Sequence, residues 1–204
     1  MIGPGGVVQL VIARLQAAVP DALAAYLTRD GLPTTTAPPP WITDDWPPQS
    51  IGLDLMPSLW VTEIGMNTVQ GAFRSSPDPV DAIWSLRYAL AIDGYVRSVT
   101  PTEVATQRRY LVTAVRQALL AAPGLIDTDT GSSYPEFYSA AVRIPGWKER
   151  YSNIGSINDD LVAGFTVELD VDTEERMYPT PPPIGPLEGV SIEVDLLALA
   201  DPMP

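Results

Sequence analysis

The chain has 204 residues, enough for one domain with a sizeable core, and its 46% apolar fraction is ordinary for a globular protein. It contains neither Cys nor His, which excludes disulfides, zinc sites of the thiolate or imidazole type, and catalysis by a His base or a Cys nucleophile. The formal charge of −13, with Lys148 the one lysine among 12 basic residues, opposes sequence-independent nucleic-acid binding, though a surface that passes DNA without holding it stays compatible with it.

Val7, Val8, Val11, Ile12, Leu15 and Val19 recur at spacing three and four, so Val7–Ala18 reads as an amphipathic helix. Pro20 is expected to break or kink it, with helix resuming over Asp21–Leu27 and ending at Gly31. Arg14, Gln16, Pro20 and Asp21 interrupt the apolar run Val7–Leu27, and nothing basic precedes it, so neither a membrane span nor a signal peptide is expected. Residues 33–49 are proline-rich and carry Trp41 and Trp46. Such a stretch is expected to be extended or irregular, either packed on its own domain or lying as an arm on a neighbouring subunit with tryptophan anchors.

Ile51–Leu55 and Leu59–Ile64 read as strands, Asn67–Arg74 as the return limb of a hairpin, and Ser75–Val80 as a turn. Trp84–Asp93 alternates strictly: Trp84, Leu86, Tyr88, Leu90 and Ile92 on one side, Ser85, Arg87, Ala89, Ala91 and Asp93 on the other. That is a strand with one buried face. Thr100-Pro-Thr-Glu103 is a capping box with proline at the first helical position. It opens a helix over 101–121 that buries Val104, Leu111, Val115, Ala118 and Leu119. Asp127–Pro135 reads as a polar loop, Glu136–Ile144 as a strand, and Trp147–Asp160 as polar and irregular. Phe165–Val171 alternates again, with Thr166, Glu168, Asp170 and Asp172 outward. A second proline-rich stretch, Tyr178–Pro186, precedes a third alternating strand, Val190–Leu196, with Ser191, Glu193 and Asp195 opposite Ile192 and Val194. Helices among mostly antiparallel strands give an α+β fold. One domain spans 1–204, with extended segments at 33–49 and 178–204.

Candidate chemistry is sparse. Asp127, Asp129 and Gly131 fail the spacing of a calcium loop and read as an acidic turn. Asp170, Asp172, Glu174 and Glu175 could form an acidic metal cluster for a hydrolase, but alternation with apolar residues marks Asp170 and Asp172 as the solvent side of a strand. No catalytic, cofactor or metal residue is therefore assigned. Glu168, Asp170, Asp172, Glu193 and Asp195 put carboxylates on sheet faces, which in a ring would line a negative channel. Arg108, Arg109 and Arg116 on the second helix, with Trp41 and Trp46, are candidate contacts between subunits.

Trp84-Ser-Leu-Arg-Tyr-Ala-Leu-Ala-Ile-Asp-Gly-Tyr-Val-Arg97, then Thr100-Pro-Thr-Glu-Val and Tyr110-Leu-Val-Thr-Ala-Val-Arg-Gln-Ala-Leu-Leu120, resemble tail terminator proteins of long-tailed bacteriophages, in which a strand leads into a helix with an Ala-Val-Arg-x-Ala-Leu-like pattern. The first helix and the strand Gly164–Thr173 fit the same order, so the resemblance covers about residues 5–30, 50–122 and 136–173. Richness in Ala, Pro and Arg is similar to proteins of actinobacterial phages. The resemblance implies a homohexameric ring in the virion at the head–tail junction, assembled in the host cytoplasm. Such a ring caps the tail tube, ends its polymerisation and joins the tail to the head connector or stopper protein while DNA passes through. It implies no enzyme activity, no cofactor and no membrane partner. It does not account for 33–49 or 178–204. Alternatives are a stopper, head-completion or other minor tail protein, and a metal-dependent hydrolase using the carboxylates of 168–175.

Overall fold

The computed structural model describes residues 4–44, 56–74, 82–126, 137–157 and 159–177. The expected strands at 51–55 and 190–196, the turn at 75–80 and the loop 127–135 lie outside these residues, as do Trp46, Glu193 and Asp195. Helix α1 (Pro4–Arg29) runs through Pro20 rather than breaking there. Proline removes one N–H, the one that would bond the Gln16 carbonyl, at a cost of roughly 3 kcal/mol. The apolar face outweighs it, because Val11, Leu15, Val19, Leu23 and Leu27 are all buried on both sides of the proline. The helix ends as the sequence predicts. Gly31 sits at φ 67°, Gly31 N–H donates to the Thr28 carbonyl and Leu32 N–H to the Leu27 carbonyl, which is the Schellman arrangement.

Helix α2 (Pro101–Leu120) starts as expected, with the Glu103 N–H donating to Thr100 Oγ1 at 3.3 Å. The Glu103 carboxylate accepts from Ser98 Oγ at 2.6 Å, so the start of the helix is tied back to the preceding strand. Hydrogen bonds from Ser98, then Thr100, hold that carboxyl below its usual range.

Among the described residues, six strands form one sheet in the order β1 (Trp41–Thr43), β2 (Ser58–Arg74), β3 (Ala82–Ser98), β6 (Asp160–Met177), β4 (Phe137–Tyr151), with β5 (Gly155–Ile157) also on β6. All pairs are antiparallel except β1 with β2. The architecture is the α+β arrangement expected, but the strands are longer. Residues 58–74 are one strand rather than two limbs of a hairpin, with register shifts at Glu63/Gly65 and Thr68/Phe73. Gly65 marks a bulge, not a turn. Residues 147–151, expected to be irregular, are the second half of β4, and 155–157 add β5. Their alternation is polar and carries no hydrophobic period. Cross-strand pairing to β6 makes them a strand instead. Within the first proline-rich stretch, 41–43 is likewise a short edge strand.

Both helices pack on one face of the sheet. The core joins Val11, Leu15 and Val19 of α1 and Leu111, Val115 and Leu119 of α2 to Val61, Leu90, Ile92, Val167, Leu169 and Val171 of the strands. The inward residues of Trp84–Asp93 and Phe165–Val171 face this core as their alternation dictates. Gly94 continues the inward set and admits the Phe165 ring, since a Cβ there would lie 2.2 Å from Phe165 Cζ. Residues 5–29 of α1 are long and apolar enough to cross a membrane, with mean hydropathy 1.4, but half of that window is buried inside this fold. At ~3.3 Å per residue the 17-residue β3 is about 55 Å long, whereas the 20-residue α2 spans about 30 Å, so the sheet outreaches the helices.

Candidate functional site: the uncovered sheet face and its edges

The face of β3, β6 and β4 turned away from the helices is polar and half-exposed. The outward acids of β6 stand on it as expected, but register sets them among basic residues of the flanking strands. Asp172 is opposite Arg87, whose Nε donates at 2.7 Å, and Arg143 reaches the same carboxylate at 3.9 Å. Glu168 is shared by Arg150 at 2.9 Å and Lys148 at 3.9 Å. Asp93 accepts from Thr166 Oγ1 at 2.6 Å. Asp170 lies under Gly146, where a Cβ would come within 2.7 Å of its Oδ2, so the bulge of β4 between Arg143 and Lys148 brings the Gly146 backbone over this carboxylate. The hydrogen bond that Arg87 donates to Asp172 raises the guanidinium above its ordinary value. The face is thus a lattice of both signs rather than a plain acidic wall.

Parity separates the four acids considered as a metal cluster. Asp170, Asp172 and Glu174 point outward, while Glu175 points to the helix side and is only 2% exposed. Its Oε1 accepts from Tyr88 Oη at 2.7 Å and from Thr173 Oγ1 at 2.9 Å. Burial, then the bond to Glu175, drives the Tyr88 hydroxyl far above the usual phenol range. Among the described residues no group of three Asp or Glu is placed to hold a metal ion. The signal for Glu175 was available in the sequence, because Thr173 and Glu175 continue the inward parity of Val171.

The candidate contact residues divide. Arg116 forks onto Glu149 of β4, with three bonds of 2.7 to 2.9 Å, and Glu149 also accepts from Trp147 Nε1 and Tyr151 Oη. Burial pushes the Glu149 carboxyl up, and the donors Arg116, Tyr151 and Trp147 more than reverse this, leaving it below its usual range. Arg108 donates to the Ser152 carbonyl at 2.6 Å and lies over the Tyr151 ring. These two arginines fasten α2 to β4 of their own chain. Arg109 is exposed, 5.3 Å from the Tyr110 ring centroid. Trp41 is 40% exposed on the edge strand β1 and meets Trp60 edge-on, with 6.5 Å between ring centroids.

Both edges of the sheet carry open stretches. β1 covers β2 only over 58–60, and among the described residues no strand pairs with the outer side of β2 beyond Trp60. On the other side, 123–125 bonds to 140–142 of β4, leaving 143–151 without an outer partner among the described residues. Ile64 and Met66 are exposed on β2, and Ile144 and Tyr151 on β4. Long edges with exposed apolar residues are rarely left bare in a protein that works as a monomer.

No protein-family model matches the chain. No curated protein matches it either. Among solved structures, a chain from the virion of a native gene transfer agent particle is similar at 13% identity, covering 80% of this chain and 98% of that one with a TM-score of 0.34.

Proposed function

We propose that this protein is a structural component of a phage-like virion, a tail terminator that assembles as a homohexameric ring at the head–tail junction. There it would cap the tail tube, stop its polymerisation and join it to the head connector. The motif resemblance of Trp84–Leu120 supplies the family. The observation that carries the reading is a sheet that, among the described residues, is clothed by helices on one face only and has open stretches at both edges. A contact that sets an open edge of one copy against a different surface of the next is head-to-tail, and such contacts form a ring when their rotation closes. In such a ring the helices lie outside and the bare face, with Glu168, Asp170 and Asp172, faces the channel. Its interleaved cations and anions give DNA no net charge to bind, which suits passage.

Negative-stain microscopy of the purified protein, alone and mixed with tail tubes, tests this. Six-fold rings, and density capping tube ends, are expected. A strict monomer that never binds tube ends defeats the proposal, and location elsewhere in the neck of a virion map would favour a stopper or other minor tail protein.

A further inference from the structure

The edge of β4 that has no outer partner among the described residues is basic on its outer side. Lys148 and Arg150 stand two residues apart there and remain 69% and 71% exposed although both reach Glu168. The segment after β6 has the opposite character: residues 178–204 hold Glu188, Glu193, Asp195 and Asp201 and no Lys or Arg. Within it, Val190–Leu196 alternates so that Glu193 and Asp195 share one side at the same two-residue spacing, with Ile192 and Val194 on the other. β6 cannot take this strand as a neighbour, because β3 and β4 occupy both its sides.

We propose that residues 190–196 add as a strand to the open edge of β4 in the adjacent copy, Glu193 and Asp195 against Lys148 and Arg150, Ile192 and Val194 on the helix side near Tyr151. This rests on the ring reading and specifies the contact that links one copy to the next. Lys148 pairs with Glu168, nine positions below the end of β6 at Met177, or about 30 Å. Residues 178–192, fully extended, span about 50 Å, so the segment is long enough to reach a β4 edge, and the ring reading assigns that edge to the adjacent copy.

The absence of native Cys makes the test clean. Full-length chain carrying Ser191→Cys is labelled with a benzophenone maleimide, assembled with 15N-labelled wild type, and irradiated. Crosslinks from the probe to 15N peptides within 143–151 are expected. They fall about tenfold or more when the 15N partner carries Lys148→Glu and Arg150→Glu, and return when the probe chain also carries Glu193→Lys and Asp195→Lys. Thermal melting of the surface variants confirms that they stay folded. Crosslinks confined to the probe's own chain, crosslinks outside 143–151, or indifference to charge reversal overturn the proposal. A chain ending at Met177 that still forms rings overturns it while leaving the ring reading intact. A full-length protein that is monomeric overturns both.

Discussion

Leu90 and Ala89 are adjacent on β3 and face opposite ways, so one strand offers both a test and its control. Leu90 is 0% exposed and lies in the core with Leu169, its partner across the sheet. Leu90→Asp forfeits about 2 kcal/mol of side-chain burial. The new carboxyl must also stay protonated or be buried charged. Held protonated at pH 7, the buried carboxyl costs about 4 kcal/mol against its ionised form in the unfolded chain, and leaving it without a hydrogen bond costs about 1–3 kcal/mol more. The sum, about 7–9 kcal/mol, is comparable with the whole stability of a domain, about 5–15 kcal/mol. Leu90→Asp is therefore expected to leave no cooperatively folded protein, and Leu111→Asp, which enters the same core from α2, should do the same. Ala89→Lys places its ammonium on the outer face opposite Asp170 and should stay within about 0.5 kcal/mol of the parent. Soluble yield and urea denaturation followed by circular dichroism distinguish the outcomes. A Leu90→Asp chain that melts cooperatively within about 1 kcal/mol of wild type refutes the facing assigned to β3, and with it the placement of the bare face.

Three further outcomes follow from individual contacts. Gly94→Ala should cost about 1–3 kcal/mol, because its Cβ would meet the Phe165 ring, and Phe165→Leu should recover part of that loss in a double-mutant cycle; full additivity would disprove the contact. Arg116→Met should cost about 1–2 kcal/mol at pH 7 by removing the chief donor to Glu149. Since Glu149 titrates below its ordinary 4.5, its contribution is present above that value and is lost as pH falls through the folded one; in Arg116→Met burial prevails instead, so the gap between variant and parent should narrow from pH 7 to pH 4, and a widening gap contradicts the assignment. Asp30 is held down at about 2, by Arg29 first and then by the Tyr110 hydroxyl at 2.5 Å. Tyr110→Phe should move its carboxyl titration, followed by carbon NMR, upward toward 3.8, and an unchanged midpoint removes the link between α2 and the end of α1.

Where the sequence is amphipathic, it foretells the structure residue by residue. The inward set of β3, the cap at Thr100, the glycine stop at Gly31 and the face of α2 all follow from spacing and side-chain type. Reading falters where the alternation is polar. Lys148-Glu149-Arg150-Tyr151 has a period of two in its facing but not in its hydrophobicity, so nothing in that stretch alone separates strand from loop. Local rules put a break or kink at Pro20 and a hairpin return at Asn67–Arg74, and tertiary packing overrides both.

The charged face is a different matter, because its character is a property of register. Glu168, Asp170 and Asp172 look like an acidic wall when β6 is read alone. Only the pairing of β6 with β3 and β4 shows that Arg87, Arg143, Lys148 and Arg150 stand among them. The consequence reaches beyond that face. Acids that are locally neutralised contribute little to the net charge of −13, whereas residues 178–204 bring four acids with no base to balance them. Residues 178–204 thus carry four of the 13 net negative charges without a base of their own, and the proposed strand would set two of them, Glu193 and Asp195, against Lys148 and Arg150, which stay exposed although both reach Glu168.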